Sequence, residues 1–345
     1  MKGRRVDVGV VGGSGYAGAE LLRLLAGHPG FKVSAVAGQR SAGQDMRAVF
    51  PHLGLEGTIG QADLDTLRGC ALVFLATPHT ASLTLAPQLL DEGVTVVDLS
   101  GAFRLDPATF TGWYGEDHTA PALSPAPYGL PELFRAALPG APLIAVPGCY
   151  PTAALLALAP LAGLVDPAGV VIAGLSGASG AGKGLRDDLH ASHAMANVAP
   201  YGAPNHRHAP EIEQGWATLA GLDQPAAVTF TPHLVPMARG LVCTVSARLT
   251  GGICASAVRA AYAGAYEAEP FVTLLGESNW PATAHVRGAN TAHLGVALDA
   301  RTGRVTAACA IDNLVKGAAG QALQAANAAT GLPETTGLPI AAVYP

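Results

Sequence analysis

Residues 6–27 read VDVGVVGGSGYAGAELLRLLAG, and this stretch decides the fold. The first half, 6–12, is a buried apolar strand. A glycine-rich turn follows, and from Ala19 to His28 the apolar residues recur at helical spacing. Gly12, Gly15 and Gly18 are spaced three apart within the turn. Only glycine permits so tight a turn and so close an approach of backbone to a pyrophosphate, and the N-terminus of the next helix attracts the negative charge. Gly12, Ser14, Gly15, Tyr16 and Ala17 are therefore the candidate cofactor loop.

Working outward, strand and helix alternate. KVSAVAG (32–38) reads as a second strand, CALVFLATP (70–78) as a third, SLTLAPQLLDEG (82–93) as a helix and VTVVDLS (94–100) as another strand. Strands apolar on both faces and separated by helices predict a parallel sheet covered on both sides, here a Rossmann-type domain. Pro78, which closes the third run at a strand end, joins the cofactor candidates. The second strand ends at Gly38-Gln39-Arg40-Ser41, with no acid before Asp45. An NAD site puts an acid there for the ribose hydroxyl. Arg40 and Ser41 suit a 2′-phosphate instead, so the expected cofactor is NADP(H).

Beyond Gly148 the pattern changes. Runs 170–177, 227–235, 241–249, 292–300 and 304–312 are strand-like, and several alternate apolar with polar as half-buried antiparallel strands do. A helix is expected over 256–269. The segment 313–331 reads as a final helix that packs back onto the first domain. The expected fold is α/β, with residues 1–148 and 313–345 forming the dinucleotide-binding domain and 149–312 an α+β catalytic and oligomerisation domain.

With 345 residues, 50% of them hydrophobic and 13% charged, the chain has material for two packed cores, which excludes disorder. A net charge of -5 without a basic run gives no footprint for nucleic acid or an anionic membrane. The opening MKGRRVDVGVVGG lacks the uninterrupted apolar region of a signal peptide and reads as a cytoplasmic start. The long uncharged stretch 136–165 is broken by five prolines and reads as strand, turn and helix rather than a membrane span.

Five cysteines, an odd number without a CxxC pair, argue against a disulfide framework and a zinc site. Cys70, Cys243 and Cys309 lie in or beside apolar runs and read as buried, inert thiols. Cys149 differs. In AVPGCYPTAA (145–154) two prolines and a glycine fix a turn between an apolar strand and an Ala/Leu-rich helix, which puts the thiol at a helix N-terminus, where thiolate is stabilised. A thiolate beside a nicotinamide suggests attack on an acyl carbon, loss of phosphate, and reduction of the thioester to an aldehyde.

Such chemistry needs a proton manager. The segment Asn205-His206-Arg207-His208-Ala209-Pro210-Glu211 offers His206 or His208, with His190 and His193 as alternatives. The HxH spacing also suits a metal, but no third ligand stands out, so none is expected. Candidate anion contacts are Ser100 and Arg104 in DLSGAFR (98–104) and Arg239 before Gly240. The loop SGASGAGK (176–183) supplies Ser179 and Gly180 for a backbone approach to cofactor or acyl phosphate.

Together, GGSGYAGAELLRLL (12–25), VDLSGAFRL (97–105), YGLPEL (128–133), PGCYPTA (147–153), SGASGAGK (176–183), HRHAPEI (206–212) and AIDNLVKGAAGQA (310–322) resemble the N-acetyl-gamma-glutamyl-phosphate reductase family, related to aspartate-semialdehyde dehydrogenase. The resemblance implies NADPH-dependent reduction of an acyl phosphate in arginine biosynthesis, a nucleophile at Cys149 and an acid/base at His206. It also implies a second domain like that of glyceraldehyde-phosphate dehydrogenase and a cytoplasmic homo-oligomer, dimer or tetramer. By the same resemblance Glu132 joins the substrate candidates, and Asn313, where the last segment returns to the cofactor side, joins the cofactor candidates. Gln39 stands where the family usually has Ser, and Lys183 where it often has Arg. The nearest alternative is the lysine-pathway reductase of a carrier-bound aminoadipyl phosphate, which tends to lack the Tyr150-Pro151 pair. A dinucleotide sensor without turnover is the alternative of another class.

Overall fold

The computed structural model describes residues 5–344. The first four residues of the expected cytoplasmic start, and Pro345, lie outside the described residues. The chain divides into two compact units, one running to Gly148 and taking in Ala318–Pro339, the other Cys149–Gly317 with the segment from Ile340.

In the first unit, β1 (Val6–Val11), β2 (Phe31–Ala37), β3 (Leu72–Leu75), β4 (Thr95–Asp98) and β5 (Leu143–Ala145) form a five-stranded sheet in the order β2-β1-β3-β4-β5. Every pairing in it is parallel. The helices Tyr16–Ala26 and His79–Asp91 follow β1 and β3. β3 is buried along its whole length, as a central strand covered on both faces must be. A helix over Pro107–Tyr114 has no counterpart in the apolar periodicity. Its signal is local: Asp106 caps it, Oδ1 accepting the N–H groups of Ala108 and Thr109, and Pro107 fills the first turn.

The last segment is a π-helical turn, Val315–Ala319, followed by an α-helix, Gly320–Ala329. That α-helix belongs to the first unit and is fastened by buried amides. Gln321 Nε2 donates to the Gly129 carbonyl at 2.8 Å, and Gln324 Nε2 to Glu132 Oε1 at 2.8 Å. The return comes at Ala318 rather than at Asn313, and the tail from Ile340 groups with the second unit. The reason lies in the bonds at each boundary. Asn313 is tied to Ser179 and Gly240, and the Val343 N–H donates to the Arg287 carbonyl.

The second unit carries a seven-stranded sheet built from β6 (Val171–Ser176), β7 (Ala199–Pro200), β8 (Thr229–Leu234), β9 (Leu241–Arg248), β10 (Val272–Leu274), β11 (Ala292–Asp299) and β12 (Arg304–Ile311). Their order is β10-β11-β12-β9-β6-β8-β7. Most neighbours are antiparallel, as the alternating runs suggest, but β6 with β8 and β10 with β11 are parallel. A helix at Ala209–Ala220 lies between β6 and β8, and a parallel pair requires a long crossover of this kind. The expected helix of 256–269 spans Ala255–Tyr266.

The helix Cys149–Leu158 packs on β9, β12 and the helix Ala209–Ala220, and every residue from Tyr150 to Leu158 is buried. Leu155, Leu156 and Leu158, fully buried, stabilise it by roughly 1.5–3 kcal/mol each. A buried helix end leaves carbonyls that need partners. Tyr262 Oη donates to the Ala157 carbonyl, and Tyr266 Oη to that of Leu156 at 2.6 Å. No helix among the described residues is long and apolar enough to cross a membrane.

Candidate active site

In the first unit the glycines of the loop after β1 do different work. A Cβ on Gly12, whose φ is +82°, would lie 2.3 Å from the Ala76 carbonyl oxygen, and one on Gly18 would lie 2.4 Å from the Gly12 oxygen. Both glycines are required by the protein's own packing. Gly15 is not: its φ is -79°, and a Cβ there would meet only the Gly12 oxygen, at 3.5 Å. Gly15 caps the helix Tyr16–Ala26 without a side-chain hydrogen bond, so the helix's first N–H groups are left to an anion. This open cradle fits a dinucleotide pyrophosphate.

Tyr16, 43% exposed, and Ala17 begin that helix, and Ala76 and Thr77, just before Pro78, wall the loop. At the end of β2, Arg40 is exposed. Ser41 is buried, and its hydroxyl donates to Ser14 Oγ at 3.3 Å. Arg40 thus has the freer side chain for a 2′-phosphate, while Ser41 braces the loop.

Three residues expected at the substrate also lie in the first unit, each engaged internally. Asp98, fully buried, accepts from Ser82 Oγ and Ser100 Oγ, both at 2.7 Å. Burial pushes its carboxyl upward, against the opposing pull of these hydrogen bonds and of Arg104. Arg104 is buried; its Nε donates to the Val146 carbonyl and its Nη2 to that of Leu99, both at 2.8 Å. Glu132 is buried against Gln324.

The second unit gathers the reactive groups. Cys149 is the first residue of its helix and half-buried. Next to it Tyr150 is buried, and its hydroxyl donates to the His233 carbonyl at 3.2 Å. Tyr201 Oη donates to Tyr150 Oη at 3.3 Å. Burial, the Tyr201 hydroxyl and the nearby Cys149 charge all push the Tyr150 phenol up, so it stays protonated. The Tyr150 ring meets those of His206 at 5.8 Å, His208 at 5.9 Å and Phe230 at 5.2 Å, all edge-on.

His206 Nδ1 accepts the His208 N–H at 3.1 Å, which assigns the proton of the neutral ring to Nε2. Burial, with a smaller contribution from Arg207, lowers its pKa to about 4. His190 and His193 take other partners, Ser192 Oγ at 2.8 Å and Asn197 Nδ2 at 3.2 Å. Of the four histidines read from the sequence, it is His206 and His208 that reach the ring beside the cysteine.

A second knot stands around Asp312, which is fully buried. Its carboxylate accepts from Arg239 Nη2 at 3.1 Å and from the N–H groups of Gly288, Leu314 and Val315. Asn313 accepts the Gly240 N–H at 2.8 Å and donates to Ser179 Oγ at 2.9 Å, next to Gly180. Arg239, Ser179, Gly180 and Asn313 thus come together within this unit.

The π-helical turn then brings Gly317 against the nucleophile. A Cβ on Gly317 would lie 2.7 Å from Cys149 Cβ. Tyr201 and Gly317 were not legible as site residues, because their nearness to Cys149 is created by chain segments far apart in sequence. Tyr201's only local sign is its place in the proline-bounded stretch leading to His206. Of the remaining cysteines, Cys70, Cys243 and Cys309 are buried and Cys254 is exposed, and none of them forms a disulfide.

Comparisons with known proteins agree with this division. Residues 7–141 match the semialdehyde dehydrogenase NAD binding domain and 149–313 the semialdehyde dehydrogenase dimerisation domain. A protein of Pseudarthrobacter chlorophenolicus named N-acetyl-gamma-glutamyl-phosphate reductase is 48% identical, covering 99% of both chains. One of Citrifermentans bemidjiense with the same name is 45% identical, covering 99% of this chain and 100% of its own. Among solved structures, aspartate semialdehyde dehydrogenase II of Vibrio cholerae, complexed with ASA, shares the fold. Its TM-score is 0.72 at 18% identity, covering 94% of this chain and 98% of that one. The Candida albicans aspartate semialdehyde dehydrogenase solved with NADP has a TM-score of 0.66 at 16% identity, with the same coverage.

Proposed function

The chain belongs to the N-acetyl-gamma-glutamyl-phosphate reductase family, and on that footing we propose that it reduces N-acetyl-gamma-glutamyl phosphate to N-acetylglutamate 5-semialdehyde and phosphate, through a thioester on Cys149, in arginine biosynthesis. The observation that carries the reading is the half-buried Cys149 at the head of a buried helix, beside a phenol that meets both His206 and His208. The cofactor is NADP(H); the loop Gly12 to Ala17 would hold it, with Arg40 for the 2′-phosphate and Pro78 alongside, and it would supply the hydride that reduces the thioester.

The residues divide the work as follows. The helix N-terminus favours the thiolate of Cys149. Its sulfur attacks the acyl carbon, the bond from that carbon to the phosphate oxygen breaks, and phosphate leaves. After reduction the carbon–sulfur bond breaks, freeing aldehyde and thiolate. His206, neutral at physiological pH with its proton on Nε2, serves as a donor to the oxygen that gains charge in both tetrahedral states, rather than as the base that takes the thiol proton. His208 stands second to it as a substrate contact. Arg239, oriented by Asp312, is the cation for the substrate's anionic groups, while Ser179, Gly180 and Asn313 form the loop beside it. Ser100, Arg104 and Glu132 act as braces, Arg104 holding the Val146 carbonyl three residues before the nucleophile.

The reduced thiol this chemistry needs supports a cytoplasmic location, and the matched dimerisation domain supports a homo-oligomer, dimer or tetramer. The test is phosphate-dependent reduction of NADP by the purified protein. N-acetylglutamate semialdehyde is run beside the one-carbon-longer semialdehyde and aspartate semialdehyde. NADPH formed with the first alone, and lost in Cys149→Ala while NADP binding remains, is the expected result. Activity only with the longer aldehyde would move the protein to the lysine pathway, and full activity in Cys149→Ala would overturn the thioester.

A further inference from the structure

Within the second unit a cavity of about 230 Å³ opens beside Tyr201. Its lining includes Ser176, Leu234, Leu189, Asn197 and the pair Arg186–Asp188. At about 30 Å³ per water it has the room of seven or eight waters. We propose that this cavity receives the N-acyl amide end of the substrate and sets which N-acyl groups are accepted; the inference rests on the reading of Cys149 given above.

The argument begins with charge. Arg186 Nε donates to Asp188 Oδ1 at 2.9 Å, and its Nη2 donates to Asp188 Oδ2, so the lining's cation and carboxylate neutralise each other. A wall without net charge gives a free carboxylate no counter-charge. It suits a neutral group with polar and apolar ends, and an acetamido group has that make-up. Leu189 and Leu234 offer apolar contact for a methyl group. Asn197, whose Nδ2 lies 3.2 Å from His193 Nε2, keeps its carbonyl oxygen as an acceptor for the amide N–H.

Position supports the same assignment. Tyr201 is a wall of the cavity, its ring centroid is 5.4 Å from that of His206, and its hydroxyl donates to Tyr150. The Cys149 charge is also among the influences that raise the Tyr201 phenol. In the proposed substrate four bonds separate the acyl carbon from the amide nitrogen, roughly 5 Å when extended. On this assignment a chain held by Cys149 passes Tyr201, whose hydroxyl bonds the tyrosine next to the nucleophile, and places its amide in the cavity.

Leu189 lines the cavity and has no part in the chemistry assigned above, which makes it the residue to vary. Wild type, Leu189→Ala and Leu189→Trp are assayed with NADP, phosphate and the N-formyl, N-acetyl, N-propionyl and N-hexanoyl glutamate semialdehydes. Cys149 alkylation by iodoacetamide and NADP affinity are followed in parallel. The expected result for wild type is a drop in kcat/KM of about tenfold or more from acetyl to hexanoyl. Leu189→Trp should lose a similar factor on the acetyl substrate, mainly through KM, and Leu189→Ala should shift the preference to longer groups, with alkylation and NADP affinity unchanged. An N-acyl profile identical in all three proteins would overturn the cavity assignment while leaving the thioester reading standing. No reduction of NADP with any of the aldehydes by wild type would overturn both.

Discussion

Replacing Gly317 with alanine tests whether the nucleophile is held from two sides. The new Cβ would lie 2.7 Å from Cys149 Cβ, 3.3 Å from Cys149 Cα and 3.3 Å from Ile311 Cδ1. Carbon atoms rest at about 3.5–4.0 Å, so a gap of roughly 0.8 Å or more must open. Ile311 can turn its terminal methyl aside, but Cys149 Cβ is one bond from the backbone of a helix buried on its other residues. The Gly317 N–H is bound to the Asp312 carbonyl at 2.9 Å, and the Asp312 side chain is itself held by Arg239 and three backbone N–H groups. Gly317 is not among the glycines with positive φ, so the clash alone is at work.

Overpacking of this kind costs about 1–3 kcal/mol of stability. A displacement of about 1 Å at a reacting atom costs on the order of 100-fold in rate. The assay is kcat for NADPH-dependent reduction, read beside NADP affinity and circular dichroism. We expect kcat to fall by about 10- to 100-fold with a folded protein and unchanged NADP affinity. A Gly317→Ala enzyme with wild-type kcat would refute the reasoning, since the thiol would then tolerate the movement that the contact forces.

Three further outcomes follow from the same geometry. Gly15→Ala should weaken NADP binding without lowering the melting temperature, whereas Gly12→Ala, pressed on the Ala76 carbonyl with φ at +82°, should lower both; equal melting losses would contradict this division of labour. Stability should decline as pH falls below 6.5, because burial lowers the folded pKa of His28, and that of His206 to about 4, so that over this window the unfolded chain takes up protons that the native one refuses. An unfolding midpoint in urea that does not change from pH 7.5 to 5 would count against it. Tyr262→Phe strands the buried Ala157 carbonyl and should cost about 1–3 kcal/mol in chemical unfolding while kcat is kept; a drop in kcat with unchanged stability would reverse that assignment.

The first sheet was legible because each strand is a short apolar run and the glycine spacing after β1 has a local cause. Other elements left weaker traces. Pro210 and Gly215 disguise the helix Ala209–Ala220, yet Gly215 is there for packing, since a Cβ would lie 2.6 Å from Leu155 Cδ1. Without that helix in view, the parallel pairing of β6 with β8 is not foreseeable. In the site, Cys149 stood out because proline and glycine mark its turn. Arg104 and Ser100 read as contacts for an anion because a sequence displays charge and polarity but not the internal partners these side chains engage. Tyr201, Asp312 and Gly317 depend on contacts between distant segments, which no local pattern announces.

The nucleophile helix, enclosed from Tyr150 to Leu158, also bears on how such an enzyme can diverge. A change on any of its faces disturbs β9, β12 or the neighbouring helix, so drift in this element is confined to near-isosteric exchanges. The stretch around Arg186 to Asn197, with exposed residues and its place in the cavity lining, carries no such burden. New substrates are therefore more readily acquired by rewriting that stretch than by altering the element that bears the thiol, and the chemistry can stay fixed while its clientele changes.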